Sequence, residues 1–449
     1  MKKIWIPIAA ALLLNPAAET AWGESPTTAY TLEDCLRIAE ERNLALQSAE
    51  REIEIARGKI YQSLGDALPL LQANARYTYL DEVASFEVGG QVIPSGLQNN
   101  YYLDLKLEQT LYKGGQVLAG IKAARLYNRL ARQIVEETRR EVRFRVINLF
   151  YQGLLAEEVV RVRQDTVANL TRSLDIASRK FEQGTASEFD LLTARVKLAN
   201  AQPLLVEALN QAQTIGSSLA RELELDGDSF SLEGRLQYIP FDDDLNRLLA
   251  RGRENRPKIE QARLTSEIYA QNVTASSSGY HPEVSVYALY SGQRPRQGLP
   301  PEDRFEFEWQ AGAQVRWNLF DGLQTPGRRV EARARYEQAK IEYDSVVRQV
   351  EMEIEQSWLD VNSARTILKS QEETVSQAEK AFEIAMIRWE NGLSTYLELT
   401  DAELALAAAK VNLQQALAGY NIALARLEKA VGDVLREEGE MLVWENSNQ

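Results

Sequence analysis

The chain has 449 residues, a formal net charge of −14, one histidine and one cysteine. This acidity argues against nucleic acid as a partner. A single cysteine, Cys35, excludes an intrachain disulfide, and a lone histidine, His281, excludes an H-E-x-x-H metal site or a cluster of histidine ligands.

In chain order, Met1-Lys2-Lys3, an apolar run from Ile4 to Leu14 and a small-residue exit ending Ala21-Trp22-Gly23 predict a secretory signal over residues 1–23. The run is too short to span a bilayer as a helix, and no later stretch reaches the roughly 18 apolar residues a span needs. Cys35 follows Glu33-Asp34 without the small-residue context of a lipid anchor, and reads as a small hydrophobe on the first helix. A first repeat is expected over 24–225, with a helix, strands at about 70–81 and 100–112, a long helix at about 116–182 and a helix at about 187–224. Residues 116–182 contain no proline and would extend roughly 100 Å as a helix. Pro203, within the shorter helix, predicts a kink. A Gly- and Asp-bearing linker at 226–241 leads to a second repeat over 242–432. It holds a helix, strands at about 283–291 and 304–320, a long helix at about 325–390 and a helix at about 395–431. A tail at 433–449 follows.

The two repeats carry the same signatures. Leu111-Tyr112-Lys113-Gly114 returns as Leu319-Phe320-Asp321-Gly322, and Lys180-Phe181-Glu182-Gln183-Gly184 as Arg388-Trp389-Glu390-Asn391-Gly392, both displaced by 208. Upstream the displacement is 212 for Arg42-Asn43 against Glu254-Asn255, and 213 for Leu68-Pro69 against His281-Pro282. In the second long helix Val347, Ile354, Val361, Leu368, Val375, Phe382 and Trp389 fall seven apart, and Val146, Val160, Val167, Leu174 and Phe181 repeat that register in the first. The shorter helices alternate leucine with alanine at the same period (Leu399, Ala402, Leu406, Ala409). A sustained seven-residue period means coiled-coil packing, and an alanine seam permits close approach. Reversal at Gly184 and Gly392 makes each pair an antiparallel hairpin.

The strands decide the compartment. Phe305, Phe307, Trp309, Ala311, Ala313, Val315, Trp317 and Leu319 occupy one face of the last strand, opposite Glu306, Glu308, Gln310, Gln314, Arg316 and Asn318, with Gly312 the exception. Residues 284–290 alternate less cleanly. Strands of about ten residues, apolar on one face and aromatic near their ends, suit an outer-membrane barrel. Four strands cannot close one, and open edges in lipid would leave backbone groups unpaired at several kcal/mol each. Three copies supply twelve strands and close the helices into one hollow cylinder.

This layout resembles the TolC-like outer-membrane factors of drug efflux and type I secretion over essentially the whole mature chain. The carrying marks are the duplicated L-[FY]-x-G at strand exits and the x-[FW]-E-x-G turns followed by an acidic residue. The resemblance implies a mainly α, α+β homotrimer: a 12-stranded barrel in outer-membrane lipid above a periplasmic α-helical barrel. It also implies a periplasmic adaptor and an inner-membrane pump or ABC exporter as partners. By position it implies that Asp401, nine residues after Gly392, rings the periplasmic aperture, with Glu398 one turn earlier. Asp190 would help latch the closed tip through a basic partner, whose position is Ser394 here, and Trp389 stands at an aromatic latch position. Three copies of Asp401 would form a negative ring favouring cations. Gly184-Thr185 and Gly392-Leu393, at the hairpin ends, are expected adaptor contacts. No phosphate loop, nucleophile elbow, cofactor site or catalytic residue is found, so no enzymatic activity is expected. The cargo of such a duct could be a drug, a metal ion or a secreted polypeptide. The contrasting reading is a soluble periplasmic coiled-coil spacer, which would have no reason to carry the apolar strand faces.

Overall fold

A computed structural model describes residues 28–225, 230–298, 301–391 and 393–435. The expected signal at 1–23, Gly392 and residues 436–449 of the tail lie outside them. A short strand β1 (Thr28–Tyr30) leads to α1 (Leu32–Arg42), α2 (Leu44–Gly65) and β2 (Leu70–Tyr79). A small hairpin β3 (Ser85–Val88) and β4 (Gln91–Pro94) precedes β5 (Asn99–Lys113), α3 (Gln116–Glu182) and α4 (Glu188–Glu222). After β6 (Phe230–Leu232) the second half runs α5 (Leu245–Asn255), α6 (Pro257–Ser276), a 3-10 turn, β7 (Glu283–Arg294), β8 (Glu306–Arg316), α7 (Gln324–Glu390) and α8 (Tyr396–Val431). No helix among the described residues is long and apolar enough to cross a membrane.

The single helix expected ahead of each strand pair is two helices, broken at Asn43 and Arg256. Asn43 caps α2 by accepting from the N–H groups of Ala45 and Leu46. Pro257 supplies the break in the second half, because a residue preceding proline is pushed to extended angles; Arg256 has φ −78°, ψ 114°. These breaks place Asn43 opposite Arg256, a displacement of 213, so the 212 match with Asn255 is off by one residue. In this register Cys35 lies opposite Leu248, and both are fully buried. Desolvation pushes the Cys35 thiol up to about 12, with Asp34 and Glu33 adding to it, so the residue packs as a hydrophobe rather than reacting as a thiolate.

The two repeats bury equivalent positions. Val142, Val146, Leu219 and Leu223 sit in one core and Val350, Ile354, Leu427 and Val431, each 208 residues later, in the other. Each of these large side chains contributes roughly 1.5–3 kcal/mol by leaving water. From Phe230 onward the linker is a belt across both cores. Its strand β6 pairs in parallel with β1 and packs Phe230 and Leu232 on the first core. Further on, the Ile239 carbonyl accepts from the Tyr420 hydroxyl at 2.6 Å, and the Gln237 carbonyl accepts from Asn421 Nδ2 at 2.9 Å. α4 runs unbroken through Pro203, which removes one N–H without ending the helix.

The long strands form one antiparallel sheet in the order β2-β5-β7-β8. Its cross-strand register aligns Ala73, Leu105, Tyr290 and Trp309 in one row and Ala75, Leu103, Gly292 and Phe307 in the next, so one face is apolar across all four strands. The adjacent row on the other face is Asn74, Asp104, Ser291 and Glu308. The weak alternation of β7 comes from two residues on the polar face: Leu289, in the row of Gln72, Lys106 and Gln310, and Tyr287, directly over Gly312, where a Cβ would come within 3.0 Å of the tyrosine ring and hydroxyl. β8 stops at Arg316, short of the strand expected to 320. Its partner β7 begins at Glu283, just after His281-Pro282, so Trp317 to Phe320 have no strand to pair with in this chain. Both β2 and β8 present an open edge.

Candidate functional site: the paired hairpin tips

At the end remote from the sheet, α3 turns into α4 and α7 into α8. Gly184 has φ +72°, which only glycine adopts without strain, and this lets the Thr185 N–H reach the Lys180 carbonyl at 2.8 Å. Ser187 then caps α4 reciprocally with Asp190: its hydroxyl accepts from the Asp190 N–H at 3.2 Å, and the Asp190 carboxylate accepts from the Ser187 N–H at 3.1 Å. The second tip repeats this with Thr395 capping Glu398 at 3.3 Å and the Leu393 N–H reaching the Arg388 carbonyl at 2.8 Å. Asp190 and Glu398 are therefore equivalent residues of the two repeats, each in the first turn of its helix, where a carboxylate faces the positive end of the helix dipole.

The tips pack against each other through unlike residues. Lys180 sits 4.4 Å from the centre of the Trp389 ring, a cation–π contact. Asp190, Trp389, Thr395 and Tyr396 line one cleft of about 190 Å³ with Lys180 and Thr185. Deeper along the helices, Lys197 of α4 donates to the Asp401 carboxylate at 2.7 Å and to the Thr400 hydroxyl. Glu403, one half-turn further, has its carboxyl pushed up by desolvation, against the opposing pull of Asn169, Arg172 and Lys197. Arg388 lies 3.9 Å from Glu398, an exposed pair worth little by itself.

The structure thus brings Asp190 and Trp389 to one cleft, Asp401 to its own chain's Lys197, and Glu398 to Arg388. Asp190 has its helix cap as the hydrogen-bonding partner, and Ser394, at the position expected to supply a basic latch, has a buried hydroxyl without a hydrogen bond. Gly184, Thr185 and Leu393 sit at the hairpin ends; Gly392 is outside the described residues. Sequence reasoning gave no role at the site to Lys180 and Arg388, which it met only as turn-motif residues, or to Lys197, Tyr396 and Glu403. Lys197 carried a faint signal, since it falls between Ala194 and Ala201 on the seam face of α4. Among the described residues no group of acidic, histidine or cysteine side chains is arranged to hold a metal ion.

Comparison with known proteins places this architecture. The family described as outer membrane efflux protein matches residues 35–223 and again 248–433, once per repeat. The cobalt-zinc-cadmium resistance protein CzcC of Cupriavidus metallidurans is 25% identical over 451 residues, covering 96% of this chain and 100% of that one. The alkaline protease secretion protein AprF of Pseudomonas aeruginosa is also 25% identical, over 93% of this chain and 87% of its own. The solved structure of the Campylobacter jejuni CmeC outer membrane channel superposes with a TM-score of 0.78 at 16% identity, covering 97% and 95% of the two chains.

Proposed function

The chain belongs to the outer membrane efflux protein family, and on that premise we propose that its paired tips form the periplasmic gate and the adaptor-docking end of the channel. The protein is a homotrimeric outer-membrane channel extending into the periplasm, working with a periplasmic adaptor and an inner-membrane pump or exporter. It is a conduit and not an enzyme. The observation that carries the membrane reading is the apolar sheet face with two open edges. Trp309 is 77% exposed and Phe307 52% in the single chain, which lipid covers, and three copies pair each β8 with the next β2. Exposed Val196 and Val206 on α4, and Met352 and Ile367 on α7, are covered when the helices close into their cylinder. A soluble spacer is not favoured, because it would leave that sheet face in water.

At the tip, Asp401 from each copy forms the aperture ring, and Glu398 lies one turn closer to the hairpin end. Trp389 on Lys180, and Asp190 beside it in the same cleft, hold the two tips together within a protomer. Gly184, Thr185, Gly392 and Leu393 are the docking surface. Cargo follows from the pump: one relative is named for metal resistance and another for protease secretion at the same identity. Photo-crosslinkers at Thr185 and Leu393 should capture the adaptor, whereas the same probe at Phe86 in the loop hairpin should not. Capture at Phe86 alone would overturn the docking assignment.

A further inference from the structure

Asp401 is not a free carboxylate in this structure. Its Oδ1 lies 2.7 Å from Lys197 Nζ, and the same ammonium also contacts the Thr400 hydroxyl. The two partners belong to different tips, Lys197 to α4 of the first and Asp401 to α8 of the second. Their environments differ: the Lys197 side chain is 15% exposed, whereas that of Asp401 is 63% exposed. The cation is thus held between the hairpins and the carboxylate lies at the surface. The duplication does not explain the pair. In the other repeat, the position of Lys197 is Ala405 and that of Asp401 is Thr193. One lysine per aspartate means that the ring's three negative charges are met by three positive ones.

We propose that Lys197 is a specificity-determining residue that masks the charge of Asp401 while the two tips are packed, so that cation preference emerges when they separate. The inference rests on Asp401 lining the aperture. An ammonium at hydrogen-bond distance cancels most of a carboxylate's field beyond a few ångströms, and salt screens what remains. When α8 moves away from α4, the ammonium stays with α4, flanked by buried Ala194 and Ala201, and the carboxylate keeps its surface position. Charge at the aperture is then coupled to opening without any residue titrating.

The test is the reversal potential of the purified trimer in a planar bilayer under a potassium chloride gradient. Four channels are compared: wild type, Lys197→Gln, Asp401→Asn and the double variant. Lys197→Gln should raise the potassium-to-chloride permeability ratio by about threefold or more, and Asp401→Asn should lower it by a similar factor. The double variant should return near wild type, and Lys197→Arg should match wild type. If Asp401→Asn shifts the ratio and Lys197→Gln does not, the mask is wrong and the aperture reading stands. If Asp401→Asn leaves the ratio unchanged, the aperture reading fails and takes the mask with it. Should Lys197→Gln not assemble, the exchanged pair Lys197→Asp with Asp401→Lys keeps the contact: trimers from the exchange support it, and loss of trimers there while Asp401→Asn assembles overturns it.

Discussion

The first and second repeats meet the same structural demand with opposite charges. At the helix break of the first, Asn43 donates to the Glu222 carbonyl and to the Glu222 carboxylate, both at 3.0 Å, and Arg145 closes on that carboxylate at 2.9 Å. In the second, Arg256 donates to the Lys429 carbonyl at 2.6 Å and pairs with Glu353 at 3.5 Å. Glu353 stands 208 residues after Arg145, so the acidic and basic roles are exchanged. The end of a repeat's last helix exposes carbonyls that must find donors once buried. The fold therefore requires a donor at the break, while the sign of the surrounding charge is free provided its partner changes with it. Arg256 adds something Asn43 lacks: it also reaches Glu137 of α3 at 3.2 Å, bridging the two repeats.

The comparison breaks most visibly at the strand-to-helix turns. Gly114 and Gly322 both have positive φ, +54° and +68°. A Cβ on Gly114 would meet the Ser278 backbone at 2.7 and 2.8 Å, whereas one on Gly322 meets nothing within 4 Å. Gly114→Ala should cost about 3 kcal/mol or more and deplete the folded trimer, and Gly322→Ala only the left-handed strain of about 1–2 kcal/mol. Thermal midpoints in detergent measure both; equal losses would mean that the two turns are structurally interchangeable.

A smaller difference is expected at the helix breaks. Arg256→Met strands Glu137 beside a buried site, leaves Glu353 with Lys258 at 3.4 Å, and should cost about 3 kcal/mol, against about 1–2 kcal/mol for Asn43→Ala, which removes a cap and two side-chain hydrogen bonds. Denaturant midpoints that rank these the other way would remove Arg256 as the bridge between repeats. The smallest effect sharpens the turn comparison. Leu323, opposite Gly115, has φ +70° and is 67% exposed. Leu323→Gly relieves the left-handed strain but adds chain entropy, for a net gain of about 0.5–1 kcal/mol. A lower thermal midpoint instead would show that lipid or a neighbouring copy covers the leucine side chain.

Much of the architecture was readable along the chain because its signals are periodic. Ile354, Val361 and Leu368 stand seven apart and are all buried, and Val146 holds the register of Ile354 in the first repeat. The apolar face of β8 was readable for the same reason, with Phe307 and Trp309 two apart. Where a cross-strand neighbour or a helix break disturbed the period, reading failed locally. Residues 284–290 alternate less cleanly partly because Tyr287 stands on the polar face over Gly312, and the helix break at Arg256 went unread because the match of Asn255 to Asn43 fell one residue short of it.

By itself the sequence determined the duplication, the long hairpins and an amphipathic sheet that one chain cannot close, because helix and strand periods are local properties that survive without knowledge of neighbours. Tertiary structure alone decided which side chains meet across those elements. Lys197 and Asp401 are 204 residues apart, and Arg256 lies 173 residues from the carbonyl it holds. No local period encodes such pairs, since each depends on which helix faces come together and on how far the cations between them can reach.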